Sequence, residues 1–469
     1  MTPLEPGYHK ADSRLPLPKE GSLGERKIKH DKGNARLPLP EYQETAISEK
    51  KFKLLKREDR SVQEKTEALT RLFPLKERKA RKLRMQRTVE YINKNRKALV
   101  QKVKDLPDQS FHFRPKEHGM KREEMFNLNL SIDKEGRERV FILPKKEILG
   151  EGTSKFVRSG LDFDEEARIG WAKVKSPDAF KEAHKEFHLQ QKFGEAYICC
   201  SYEIAKSDQA KKKMYIIMPE YNLGSLFSWL EKQGLKALSP SMIKDLSMAI
   251  CELINKFHSA KVILADCKPE NFLLHQEDEH IRVGYNDFGL SYMLKEGDFS
   301  PYGGSPAYAS PEVVKANRMD ASLYEEYQEC EHELELYAKG SIQYQETVDE
   351  MNDLVVQMKA LKQSVGPERD VYTAGLTLSF FFRKKFPFWI TPALDWYPDI
   401  CEYMINPDRY EKVYSEKRAE IQGGNKHPSL DRILFHMTDP DPMKRWRMVH
   451  VLQALEKVDW KKDPYLKAS

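Results

Sequence analysis

The 469-residue chain is short of cysteine, and its six cysteines (Cys199, Cys200, Cys251, Cys267, Cys330 and Cys401) form neither a CxxC pair nor a regular framework. Free thiols in a reducing compartment, the cytoplasm, are the plain reading. A long hydrophobic run is also missing. The longest, Ala374 to Phe382, stops at Arg383-Lys384-Lys385, well short of the roughly 20 residues that span a bilayer. The opening MTPLEPGYHKADSR has no apolar core of the kind a secretory signal requires. A soluble protein without a transmembrane segment is expected. Nor is there a chain-wide basic bias: the net charge is +6 against a charged fraction of 32%, so no specific nucleic-acid partner is indicated.

What is present is unevenly distributed. Residues 1–43 are rich in Pro, Gly and charge and contain RLPLP twice, at Arg14–Pro18 and Arg36–Pro40. This stretch is expected to be a disordered or extended arm, with polyproline II character around the repeats. Residues 44–138 form a basic, mainly helical region. From Glu44 to Val103 there is no Gly and one Pro, Pro74, with Leu83, Val89, Ile92 and Val100 set among Arg81, Lys82, Arg84, Arg87, Arg96 and Lys97. A helix of this kind can lie on an acidic surface, make peripheral contact with a membrane, or pack on the rest of the protein. From about residue 139 strand-like runs (VFILP, WAKVK, MYIIM) give way to helical ones such as SMIKDLSMAICELINKFH. That order predicts an α+β domain over 139–460, with a β-rich small lobe to about 220 and an α-helical large lobe beyond it. A ligand site is expected in the cleft between the lobes.

The strongest local signal is ILADCKPENFLL (Ile263–Leu274) followed by NDFGL (Asn286–Leu290). Asp266 is a carboxylate able to orient a hydroxyl and accept its proton, and Lys268 can neutralise a charge in motion beside it. Asn271 offers a neutral oxygen ligand and Asp287 a carboxylate ligand, with Gly289 permitting the turn behind it. This is the equipment of Mg2+-dependent phosphoryl transfer from ATP. Each motif alone is moderate, with a capped turn as the bland reading; in this order and spacing, chance is a poor explanation.

These residues resemble the eukaryotic-type protein kinase family, over about Ile142 to Lys457. The resemblance implies a bilobal kinase fold, ATP and Mg2+ as cofactors, and a protein substrate phosphorylated on Ser or Thr. LGEGTSKFV (Leu149–Val157) is similar to the glycine-rich loop, with Gly150, Glu151 and Gly152 over the phosphates, Val157 over the adenine, and Lys155 where a third glycine usually stands. IGWAKVK offers Lys173 and Lys175 as the phosphate-pairing lysine; being two apart, they share one strand face. The choice between them stays open. Glu186 is implied as the ion-pairing glutamate of the following helix, and Gln190 departs from the usual apolar residue there. Met218 corresponds to the gatekeeper and Tyr221 to the hinge donor, since Pro219 has no N–H. GGSPAYASPE (Gly303–Glu312) resembles the end of an activation segment: Ser305 would approach Asp266, and Glu312 would pair with Arg445. Asp370 of RDVYTAG would brace the catalytic-loop backbone. Small-molecule phosphotransferases such as aminoglycoside and choline kinases lack these last features.

Two departures remain. Leu264-Ala265-Asp266 stands where His-Arg-Asp is usual, removing the arginine that reads a phosphorylated activation loop. Between Glu312 and Arg369 there is also an excess of chain, in which Val348, Met351, Val355 and Met358, and Leu354 with Leu361, recur at helical spacing. An inserted helical hairpin over 314–367 is expected, either a packed decoration or a dock for a substrate or regulatory partner; the N-terminal region is the other candidate for such a partner. Lys268 favours Ser/Thr over Tyr as acceptor. The alternative to an active kinase is a pseudokinase scaffold, for which Trp171, Lys155 and Gln190 speak. A divergent kinase with a private insertion would suit a bacterial effector working in a host-cell cytosol.

Overall fold

The structure, a computed structural model, describes residues 61–106, 109–115, 124–133, 136–144, 148–151, 155–193, 198–206, 209–233, 238–277, 280–293, 304–363, 365–383, 411–412, 414–416 and 429–462. Both RLPLP repeats, Gly152 and Gly303 lie outside the described residues.

The first elements are helices α1 (Val62–Arg71) and α2 (Leu75–Lys104). Ser61 and Glu64 close a reciprocal capping box on α1, which satisfies two backbone donors that a helix start otherwise leaves open. Helix α2 buries Met85, Val89, Ile92, Val100 and Val103, a stripe whose steps of three, four and eight residues keep to one helix face. Leu83, expected on this stripe, is 57% exposed; it lies two residues before Met85, about 200° around the helix. Strands β1 (Ser110–Phe113), β2 (Asn127–Ile132) and β3 (Glu138–Leu143) follow, so the region before 139 is helical only in its first part. The stripe packs on Phe126, Leu128, Leu130, Val140, Ile142 and Leu161. The basic face of α2 is tied down as well: Arg87 bonds Glu124 and Arg96 bonds Asp164, each at 2.6 Å, and Arg84 donates to the Met125 carbonyl at 2.9 Å. Much of the charge therefore reaches the protein's own surface.

The small lobe continues through β4 (Ile148–Glu151), β5 (Lys155–Asp162), β6 (Ala167–Val174), helix α3 (Phe180–Lys192), β7 (Ile198–Lys206) and β8 (Gln209–Pro219). One antiparallel sheet runs β1-β2-β3-β5-β6-β8-β7, with β4 on β5. Since β2 pairs β3 from Asn127↔Leu143 to Ile132↔Glu138, the N-terminal strands extend the small-lobe sheet without a break. Strand β6 is covered on both faces. Ile169 and Trp171 pack with Phe141, Leu143, Tyr215 and Ile217 on one; Ala172 and Val174 pack with Ala183 and Phe187 of α3 on the other.

The large lobe contains β9 (Gly224–Ser225), α4 (Leu226–Gln233), α5 (Pro240–Ser259), β10 (Val262–Ile263), β11 (Phe272–Glu277), β12 (His280–Tyr285) and β13 (Tyr292–Met293), then α6 (Pro311–Leu336), α7 (Ile342–Gln363), α8 (Glu368–Arg383), α9 (Ser429–Met437) and α10 (Met448–Glu456). Ser239 caps α5 by accepting from the Met242 N–H, with Pro240 at the first helical position. Helix α5 is the spine of the lobe core: Leu246, Ile250, Ile254 and Phe257 are at most 1% exposed. The expected insertion is a helical hairpin of α6 and α7. Leu354 is its most buried stripe position at 4%, while Val348, Met351, Val355 and Met358 are half-buried. The architecture is the bilobal kinase fold with an N-terminal helical extension.

Candidate active site

The catalytic-loop segment leaves β10 and turns into β11. Its shape is set from below by Asp370, fully buried at the start of α8, which accepts from the N–H groups of Leu264 and Ala265 at 2.8 Å each. His258 Nε2 lies 3.0 Å from the same carboxylate, and Arg369 donates to the Ala265 carbonyl at 3.1 Å. Ala265 has φ = 70°, a left-handed conformation that costs a non-glycine residue about 1–2 kcal/mol. The buried Asp370 and Arg369 contacts hold it there and offset that strain. Leu264 is fully buried, in keeping with an apolar residue serving at the usual histidine position. The His258 contact escaped sequence reasoning because it joins residues 112 apart.

The bend presents Asp266, 4% exposed. Its Oδ1 accepts from the Ser305 N–H at 3.0 Å, and its Oδ2 lies 2.7 Å from Lys268 Nζ. Lys268 also donates to Ser305 Oγ at 2.6 Å. Asn271 spends its amide nitrogen on Asp266, at 2.8 Å to the carbonyl and 3.1 Å to Oδ2. Its amide oxygen is thereby turned to the other side. Tyr285 donates to the Asp266 carbonyl at 3.0 Å, and burial pushes its phenol far above the ordinary range, keeping it a donor.

The hairpin β11–β12, in register from Phe272↔Tyr285 to Glu277↔His280, carries Asn271 and Asp287 at adjoining ends, where the Asn286 N–H donates to the Asn271 carbonyl at 3.0 Å. Asp287 is exposed and accepts from the Gly289 N–H at 3.2 Å. Phe288 behind it is 2% exposed and packs edge-on to Phe257 and Tyr285. Asp287 is thus anchored through its neighbour and leaves its own carboxylate in the cleft.

On the small-lobe side Glu186 is 7% exposed on α3. Its Oε1 accepts from Lys155 Nζ at 2.5 Å and from Gln190 Nε2 at 3.0 Å. Gln190 also donates to the Asn286 carbonyl at 3.3 Å. The residue that broke the expected apolar pattern therefore bridges α3 to the strand end carrying Asp287. Burial pushes the Glu186 carboxyl up, Lys155 draws it down, and the nearby Asp287 charge adds to the upward push.

The expectation for the lysine is corrected here. Neither Lys173 nor Lys175 pairs with Glu186. Side chains alternate along a strand, and the even positions, Ala172 and Val174, face α3. Lys173 and Lys175 take the opposite face, that of Trp171, and Lys175 Nζ sits 4.3 Å above the Phe156 ring. The cation that meets Glu186 comes from β5.

The remaining site residues fall around the cleft. Val157 is half-buried against the cluster of Ala172, Val174 and Met218; Met218 is 7% exposed near the end of β8. Tyr221 lies over Gly284, where any side chain would collide with its ring, and accepts from Arg282 at 3.1 Å. Gly150 is exposed with open space at its α-carbon, and the backbone of Glu151 ends β4. Away from the cleft, Arg445 grips Glu312 with two bonds of 2.7 and 2.9 Å. Burial alone would raise the Glu312 carboxyl, but Arg445 outweighs it and holds the group below its usual range. Cys251, Cys267 and Cys330 are free and buried. Among the described residues no helix is long and apolar enough to cross a membrane.

Comparison with known proteins agrees with this geometry. The family model "protein kinase domain" matches residues 143–345. Calcium-dependent protein kinase 14 of Oryza sativa subsp. japonica is 34% identical over 139 residues, 29% of this chain and 25% of that protein. The phosphorylase b kinase gamma catalytic chain, liver/testis isoform, of Bos taurus is 27% identical over 209 residues, 42% of this chain and 48% of the relative. Calcium/calmodulin-dependent protein kinase type 1 of Macrobrachium nipponense is 26% identical over 173 residues, 36% and 49% respectively. The chain thus spans between a quarter and a half of the length of these relatives. From β3 to the start of α7 the match follows the lobes and the cleft described above, and over residues 143–345 the chain is similar to the protein kinase domain.

Proposed function

We propose that the protein is an active kinase that transfers the γ-phosphoryl group of ATP to Ser or Thr hydroxyls of protein substrates. The observation that carries this reading is the convergence on one cleft of Asp266, Lys268, Asn271 and Asp287, each with a free function left after its structural contacts. Asp266 keeps carboxylate lone pairs to orient an acceptor hydroxyl and take its proton, and Lys268 beside it balances the charge that moves with the phosphoryl group. The Ser305 N–H holds the carboxylate in place.

The donor set fits Mg2+: a carboxylate from Asp287 and an amide oxygen from Asn271 are hard oxygen ligands, too few to enclose the ion without phosphate oxygens and water, as magnesium prefers. When bound, the ion would neutralise charge on the β- and γ-phosphates. Val157, Met218 and the backbone at Tyr221 would enclose the adenine, with the backbone of Gly150 and Glu151 above the phosphates.

The wider reading has the arm 1–43 and the region 44–138 preceding a catalytic domain over 139–460, working in a reducing, cytoplasmic compartment, with the α6–α7 hairpin or the N-terminal region as the place for a substrate or regulator. The pseudokinase alternative is favoured by one observation: β6 presents Val174, not a lysine, to α3. Incubation of wild type and Asp266→Asn with radiolabelled ATP and a generic protein substrate decides between the two. Label incorporated by wild type and lost in the variant supports the kinase; no difference between them refutes it.

A further inference from the structure

Strand register explains how a lysine from another strand reaches Glu186. In the antiparallel pair β5–β6, Lys155 stands directly opposite Val174. Residues facing each other across such a pair project to the same side of the sheet, and Val174 projects toward α3. The ammonium of Lys155 therefore enters the space that a lysine at position 174 would occupy. It reaches Glu186 Oε1 at 2.5 Å with its side chain still 19% exposed. An ammonium has three donors; Glu186 takes one, and no second partner for Lys155 occurs among the described residues. Asp287 lies near enough to act on the charge of Glu186, so the Lys155–Glu186 pair lies within electrostatic range of the proposed magnesium ligand.

We propose that Lys155, the first residue of β5, is the cation that holds the phosphates of ATP in this protein, and that Lys173 and Lys175 take no part. The inference rests on the phosphotransfer reading above and adds to it the residue that completes the small-lobe half of the site. It also changes how the cleft is built. The phosphate-holding lysine sits on β5, which pairs with β4, so the ion pair with Glu186 ties the β4–β5 pair directly to α3.

The test uses the full chain in five forms: wild type, Lys155→Met, Lys173→Met, Lys175→Met, and the double variant Lys155→Met/Val174→Lys, which moves the lysine to the facing position. ATP affinity is measured by calorimetric titration and kcat and KM with a generic protein substrate. Lys155→Met is expected to lower kcat/KM for ATP by about a hundredfold or more, with Lys173→Met and Lys175→Met within about twofold of wild type. The double variant is expected to recover at least about tenfold, since position 174 faces Glu186. Retention of more than about a tenth of wild-type activity by Lys155→Met, or a larger loss in either β6 variant, overturns the proposal. Should wild type bind ATP yet transfer nothing, the kinase reading fails and the titration still decides this one. Binding weakened about tenfold in Lys155→Met alone upholds it, and equal affinities in all three single variants overturn it. Because Lys at 174 is placed in a packed interior, thermal melting accompanies every variant, and the three single variants decide the matter if the double one does not fold.

Discussion

The two halves of the cleft are held together by different means. On the large-lobe side, much of the bonding runs through backbone: Asp370 to the N–H groups of Leu264 and Ala265, Arg369 to a carbonyl, the Ser305 N–H to Asp266, Tyr285 to the Asp266 carbonyl. On the small-lobe side, Glu186 is held chiefly by the tips of two side chains, Lys155 and Gln190. A backbone-braced loop keeps its shape when one functional side chain is removed, whereas a side-chain link between a strand and a helix vanishes with either partner. Control of the site is therefore more readily exerted at α3 and β5 than at Asp266. Ala265, in place of an arginine that would couple the catalytic loop to a phosphate, points the same way.

The sharpest way to probe this contrast is to strip a functional group from the braced half. Asp287→Ala should reduce phosphoryl transfer by about a thousandfold, roughly 4 kcal/mol in barrier. The melting temperature should hardly move, because the Asp287 side chain is exposed. Steady-state assays and melting curves check both parts; activity above about a tenth of wild type would count against the assignment.

Next in size is the ion pair that supports the large lobe from outside the cleft. Arg445→Met leaves Glu312 buried without its partner and should cost about 3 kcal/mol or somewhat more in urea unfolding. Loss of activity should follow the loss of folded protein rather than exceed it.

The inserted hairpin allows a smaller, internal comparison. Leu354→Ala should destabilise by about 2 kcal/mol, since the side chain is 4% exposed. Val356→Ala, at 62% exposure, should stay within about 0.5 kcal/mol. Equal effects would show that the stripe read from the spacing is not the packed one.

The smallest effect is in pH dependence. Because Arg445 holds the Glu312 carboxyl below its ordinary value of 4.5, the stabilisation is complete above that value. It is lost as pH falls through the depressed one. Urea midpoints followed from neutral pH into acid should show a fall that is shallower in Glu312→Gln.

The catalytic loop, the Asp287 turn and the helical hairpin were legible in the sequence because each depends on short spacing or on a repeat along one helix face; the Glu312–Arg445 pair, 133 residues apart, was legible only through the family resemblance. Asp266, Lys268 and Asn271 lie within six residues, so their mutual geometry follows once the turn is recognised. Gln190 was legible only as an anomaly: its polarity broke an apolar pattern, but its two partners come from separate segments.

The lysine was beyond the reach of local reading. Period-two alternation shows that Lys173 and Lys175 share a face of β6, and that Val174 takes the other. It does not say which face meets α3, because Lys173 and Lys175 share their face with the buried Ile169 and Trp171, so that face is not marked as the outside. Nor does sequence spacing reveal that Lys155 stands opposite Val174; that register arises only when β5 and β6 pair over their full length. The sequence determined which large-lobe residues are candidates for phosphoryl transfer. The tertiary structure decided which lysine meets Glu186, because that choice depends on cross-strand register and on the side of the sheet that α3 covers.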